Sequence, residues 1–457
     1  MFHRTVSGAL AVAALSVLAV GCSTDIAGED PPAGQLHYPI GLALHPDGQS
    51  IFVVNTNFNV EFRRGSVAVL LLEEELPNSR VLGAVSADPP ETRLLIDSFG
   101  GNLVLEGEPR TDADGTSFYR GYVPVREGNS VEVLRIDETT VPGHGGEQRK
   151  VWGALTNSRR VMTQRRDPFR ALPGLSVTCP DGSDGGREVP LLAVEHLALG
   201  ELVFIDLDAL DRDIAGEPLE PEEEIIAGEL NLPGGTVDMA IHPLTGELYL
   251  TSRFSNALEI IRPDPGTLCT ECKVCDPGED ESCSLPDGCD DGWGWRSTAV
   301  NNTTGGGFDS RGLSFDVSGD RLYVANRGPD SLLVFNTAIE EETGEPRDEL
   351  IDALPLPASP AGVRYLAREA PGRDLVLVTC FDEGRLWILD AETLLVREAT
   401  PVGYGPYEMV VAQLDLLSGD GEPGRTVALV ANFDEHSIAV VDLEEGSTFG
   451  AVIAQLQ

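Results

Sequence analysis

Short stretches of alternating apolar and polar residues recur along this chain, each bounded by Pro, Asp, Asn or Gly, and the same order of pieces returns several times. The clearest copy opens with Tyr38-Pro39-Ile40-Gly41-Leu42-Ala43-Leu44 and turns at His45-Pro46-Asp47-Gly48. It continues as Ile51-Phe52-Val53-Val54-Asn55 and Ser66-Val67-Ala68-Val69-Leu70. Apolar runs of this length with period two, cut by turn formers, predict β-strands. The unit returns at Val237-Asp238-Met239-Ala240-Ile241-His242-Pro243 with Leu248–Ser252 and Ala257–Ile261, and at Arg311–Phe315 with Leu322–Asn326 and Ser331–Phe335. Two further copies close the chain, Leu375–Cys380 with Arg385–Asp390 and Val427–Asn432 with Ser437–Asp442. Two degraded copies, Arg120–Val125 with Ser130–Asp137 and Pro190–Val194 with Glu201–Asp206, bring the expected number of units to seven.

A sheet of three or four short strands cannot bury both of its faces alone, so such units stack radially until the ring closes. The fold class expected is therefore all-β, a β-propeller of seven blades. The repeat resembles the YVTN and surface-layer type of propeller, and Leu322-Tyr323-Val324-Ala325-Asn326 carries that resemblance best. It covers roughly residues 38 to 455 and is weakest between 75 and 230. The resemblance implies loops at the two ends of a ring and ligands, where there are any, at the mouth of a central channel. Asn55, Asn326 and Asn432, which close the second strand of their units, read as turn formers whose amides bond nearby backbone; contact with a ligand is the alternative.

The chain begins with the layout of a signal peptide: Arg4, an apolar run from Ala9 to Val20, then Gly21 and Cys22. Leu18-Ala19-Val20-Gly21-Cys22 resembles the lipobox of bacterial lipoproteins, although the preferred Leu stands one place early. That resemblance implies lipidation of Cys22 and a membrane anchor after removal of residues 1–21. An ordinary secretory signal with an incidental cysteine would export the chain equally. Ser23 points to the outer membrane. Residues 22–36 read as a flexible tether and 37–457 as the propeller, with a Cys-rich loop insertion at 265–305.

Composition narrows the partners. With 75 acidic against 32 basic residues the formal charge is -43, which repels nucleic acid. One segment runs against this: Arg149, Lys150, Arg159, Arg160, Arg165, Arg166 and Arg170 include among them only Asp167 as an acid. Arg159, Arg160, Arg165 and Arg166 form either a patch for an anionic partner or, the favoured reading, internal counter-charge for neighbouring carboxylates.

The cysteines Cys269, Cys272, Cys275, Cys283 and Cys289 crowd one acidic, Gly- and Pro-rich insertion. Their spacing would suit zinc, but an exported compartment favours disulfides. Five is an odd number, which makes Cys179 the candidate outside partner and leaves Cys380 a free core thiol. The acidic runs lack the spacing of a calcium loop, so no metal ligand and no cofactor are assigned. His45 and His242 occupy the same place in their repeats, which points to a turn role, since a catalytic base is normally unique.

No hydrolase or phosphate-loop motif is present, so the first expectation is a membrane-anchored binding or scaffold module for a protein, peptide or glycan in the cell envelope. The alternative is a periplasmic propeller enzyme, lactonase- or lyase-like, with its site in the central channel. A convergent set of carboxylates, His or a divalent ion at one channel mouth would favour the enzyme, and a channel plugged by apolar side chains with no polar cleft would favour a purely structural role.

Overall fold

The computed structural model describes residues 28–72, 79–82, 92–142, 147–179, 186–219, 224–269, 294–299, 308–368, 373–414 and 425–457. They form a β-propeller of seven antiparallel sheets. The blades occupy residues 39–96, 104–162, 168–231, 236–299, 308–355, 360–401 and 406–456. In the last five blades the four strands pair in chain order; in the first, Arg80–Val81 and Arg93–Ile96 both pair with Gly65–Leu71, and in the second the short Arg110–Thr111 pairs beside Val104–Leu105 on Ser117–Val125. The inner strands are Pro39–Leu44, Val104–Leu105, Pro168–Cys179, Thr236–Ile241, Phe308–Phe315, Pro360–Leu366 and Pro406–Leu414. Each of them meets the inner strand of the next blade, and the last meets the first.

Side-chain alternation makes the ring. In a strand, successive side chains point to opposite faces. Val376 and Val378 therefore join the core shared with the preceding blade, while Leu375 and Leu377 join the core shared with the following one. Strands sandwiched in this way need apolar residues on both faces, which is why Leu375-Val376-Leu377-Val378 reads as a continuous apolar run. Full burial of each such side chain stabilises by roughly 1.5–3 kcal/mol.

The closing seam is built of the same material. Leu36, Leu42, Val53 and Leu70 of the first blade pack with Leu414, Leu429, Val440 and Leu456 of the last. Among the described residues no strand is exchanged across it, because both sheets are built from their own stretch of chain.

Two boundaries differ from the sequence reading. The tether ends sooner than residue 36: Leu36 is buried in the seam, Arg93 donates to the Pro31 carbonyl, and the Arg63 amide donates to the Glu29 carbonyl at 3.0 Å. The insertion is also shorter than 265–305. Gly294–Ala299 is the outer strand of the fourth blade, paired in register with Ala257–Arg262. Arg296 fixes it there through Glu247 at 2.6 Å and Asp348 at 2.7 Å.

Candidate active site

The inner strands share an irregularity that builds the site. In six blades the register slips by one residue at the same place, so that two residues of the inner strand oppose one of the second strand. The paired residues are Ile40-Gly41, Phe169-Arg170, Val237-Asp238, Arg311-Gly312, Ala361-Gly362 and Tyr407-Glu408. A β-bulge bends the strand and re-aims its side chains, here at the axis. Where the second residue is glycine, a Cβ would meet the next blade's backbone: 2.7 Å from the Gly101 carbonyl at Gly41, 2.6 Å from Ala361 at Gly312 and 2.7 Å from Tyr407 at Gly362. Arg170, Asp238 and Glu408 are the departures from glycine, and they converge.

Arg170 Nη1 donates to Glu408 Oε2 at 2.5 Å and its Nε lies 3.4 Å from Asp238 Oδ1. Arg364, two residues past the bulge in the sixth blade, donates to the other Glu408 oxygen at 3.1 Å. With Asn102, Leu42, Leu103, Leu172 and Met239 these residues enclose a cavity of about 130 Å³. Its walls come from the later residues of the inner strands, and Arg364, with its side chain 39% exposed, stands at its opening. On the other side Phe169, Val237, Leu197, Ile40 and Tyr407 pack together and plug the axis. The channel is thus neither wholly polar nor wholly sealed.

The two carboxylates are pushed apart in acidity. Burial raises the Asp238 pKa, with the Glu408 charge adding to the rise and Arg170 opposing it. Burial acts on Glu408 too, but the Arg170 and Arg364 guanidiniums outweigh it and hold its carboxyl below the ordinary range. Behind them Glu195, cross-strand from Arg170, is fully buried with no hydrogen-bond partner on either oxygen. Burial and then the Asp238 charge lift its pKa well above the ordinary 4.5, with the Arg170 charge opposing them, which favours the protonated form.

The residues singled out in the sequence lie elsewhere. Cys179, at the end of the third inner strand, is joined to Cys269 by a disulfide linking the third and fourth blades. Cys22, Cys272, Cys275, Cys283 and Cys289 lie outside the described residues. Cys380 is a buried free thiol that burial pushes up to about 12. In the basic segment Arg159 pairs with Asp213, Arg160 with Asp97 and Glu132, and Arg165 with Glu201 and Glu229, while Arg166 is exposed.

Asn326 Nδ2 donates to the Pro329 carbonyl at 2.9 Å, a turn bond, whereas Asn432 Nδ2 donates to the Val402 carbonyl at 2.8 Å, thirty residues away at the end of the sixth blade. His242 Nδ1 accepts from the Leu244 and Thr245 amides at 3.2 Å, and His45 Nδ1 accepts from the Asp47 amide at 3.1 Å. Among the described residues no group of three or more His, Cys, Asp or Glu is arranged to hold a metal ion.

No family model and no curated protein sequence matches the chain. Among solved structures, a protein from Lactobacillus plantarum is 13% identical, covers 80% of this chain and 85% of its own, and superposes with a TM-score of 0.47. The periplasmic gluconolactonase of Pseudomonas aeruginosa is 16% identical over 81% of this chain and 87% of its own, with a TM-score of 0.44.

Proposed function

We propose that the channel is the active site of an exported, lipid-anchored propeller enzyme that hydrolyses a small ester or lactone by acid–base catalysis. The observation that carries the proposal is the opposite displacement of Asp238 and Glu408 around shared arginines at an open cavity. Carboxylates whose surroundings separate their acidities are suited to different proton tasks. Ionised Asp238, the more basic of the two, takes a proton from water as the water oxygen bonds to the substrate carbonyl carbon. Arg364, the accessible guanidinium, stabilises the oxyanion. The carbon–oxygen bond to the leaving group then breaks, and Asp238 returns its proton to the departing oxygen. Glu408 stays ionised and positions Arg170 and Arg364. A cavity of about 130 Å³ is small beside the roughly 300–1,000 Å³ of drug-sized sites, so the substrate is small.

The test is turnover of a panel of small lactones and esters by the purified protein. Asp238→Asn should lower kcat by about a hundredfold or more with the melting temperature retained, since positioned proton transfer contributes that much. Activity should rise with pH as Asp238 ionises. Absence of turnover across the panel, or full activity in Asp238→Asn, would sink the proposal. The binding-module reading keeps one specific observation: the opposite end of the ring exposes Phe58, Phe254, Phe308 and Tyr404.

A further inference from the structure

At that opposite end, where the inner strands begin, the fifth blade departs from the apolar plug. The bulge positions that hold Ile40, Phe169, Val237 and Tyr407 in other blades hold Arg311, which is 9% exposed. Its Nη2 donates to Asp309 Oδ2 at 3.0 Å, while its buried Nε has no hydrogen-bond partner. Arg253 reaches the same carboxylate at 3.9 Å, and its Nε is likewise buried and without a hydrogen-bond partner. Arg327 donates from Nε to the Pro360 carbonyl at 3.0 Å. Burial first and the Arg311 charge second lower the Arg327 pKa, which places the two cations in each other's field.

Several arginines elsewhere in the chain have two carboxylates each. Arg135 meets Asp112 and Asp137, Arg165 meets Glu201 and Glu229, and Arg296 meets Glu247 and Asp348. At the mouth three arginines gather around Asp309, with Asp382 acting on Arg327 from further off and already accepting the Ser359 hydroxyl. The chain carries a net charge of -43, yet among the described residues Asp309 is the one carboxylate that both Arg253 and Arg311 reach.

The cluster is bordered by ring faces. Phe254, 67% exposed, follows Arg253, whose guanidinium lies 5.4 Å from its centroid. Phe308, 57% exposed, precedes Asp309. An aromatic path crosses from the rim to the floor: Phe58 to Phe433 at 5.3 Å, Phe433 to Phe381 at 6.3 Å, and Phe381 to Tyr407 at 6.4 Å. Guanidiniums recognise carboxylates through paired hydrogen bonds, and exposed aromatic rings take flat faces.

We propose that this mouth is a second ligand site, separated from the channel cavity by the apolar plug, and that it binds a carboxylate carried on a flat ring. Arg253, Arg311 and Arg327 take the anionic group, and Phe254 and Phe308 flank the ring. Two sources share that chemistry, an aromatic acid and a uronic-acid sugar, and the experiment separates them. The purified protein is titrated calorimetrically with 1-naphthoate, with trigalacturonate, and with the uncharged 1-naphthalenemethanol. One of the acids is expected to bind, identifying the source, and the uncharged probe is expected to bind at least tenfold more weakly. Arg253→Gln with Arg327→Gln should lower that affinity about tenfold or more, as should Arg253→Gln with Phe254→Ala if the first pair fails to fold. Asp238→Asn should bind as the parent does. Failure of both acids to bind, or equal affinity in a folded variant, overturns the site.

Discussion

Glu195 and His196 are adjacent in sequence, both buried, and opposed in their response to acid. His196 lies between Thr163 Oγ1 at 3.0 Å and the Glu201 carbonyl at 3.2 Å, and burial pushes its pKa down to about 4. Below the ordinary 6.5 the unfolded chain takes up a proton that the native state refuses, so stability is lost as pH falls from there towards 4. Glu195 works the other way. Its folded pKa lies above the unfolded one, so the stability it contributes is present below 4.5 and is lost as pH rises towards the folded value. Glu195→Gln should therefore gain melting temperature relative to the parent at pH 8 and little or nothing at pH 4.5. Equal differences at both pH values would show that Glu195 does not hold its proton. The candidate site had a trace in the sequence at this scale. Pro39-Ile40-Gly41 and Pro360-Ala361-Gly362 set a small-residue rule that Phe169-Arg170, Val237-Asp238 and Tyr407-Glu408 break. Polar residues where neighbouring repeats need glycine mark where the ring opens, but that is visible only once the bulge is known to face the axis.

At the scale of elements, the strands were legible because period-two burial on two faces leaves long apolar runs. What the pattern concealed were strands written in charge. Gln148–Met162 is a strand whose exposed side chains include Lys150, Arg159 and Arg160, with Arg159 reaching Asp213 and its neighbour Arg160 reaching Asp97. Gly294–Ala299 was absorbed into the insertion because its anchor is the buried Glu247 and Asp348, far away in sequence. The Cys179–Cys269 disulfide spans 90 residues and ties the third blade to the fourth. By chain entropy a loop of that size is worth about 4–5 kcal/mol. Cys179→Ala with Cys269→Ala should lower the melting temperature by several degrees while the β-rich circular dichroism spectrum persists. An unchanged melting temperature would mean that the interblade core alone sets the stability there.

For the whole molecule, seven units could be counted from sequence because each repeats the same turn chemistry, even where 75–230 diverges. The channel contents could not be read, since they join residues as far apart as Arg170 and Glu408. Attachment is a property of the whole protein as well. Two or three acyl chains on Cys22, each methylene worth about 0.8 kcal/mol in a bilayer, would hold the propeller at a membrane. Cys22→Ala should therefore move the protein from the membrane fraction to the soluble fraction on cell fractionation. Continued membrane association would leave the lipid anchor without support.

The unexchanged seam bears on how the molecule is made. A chain emerging amino end first can finish one blade after another, because among the described residues no early strand waits for a late partner. The circle shuts only when Leu456 arrives beside Leu36. Until then the newborn protein is an open fan with two raw apolar flanks, so its most hazardous stage, and its greatest call on a chaperone, is the one before the seventh blade, residues 406–456, is in place.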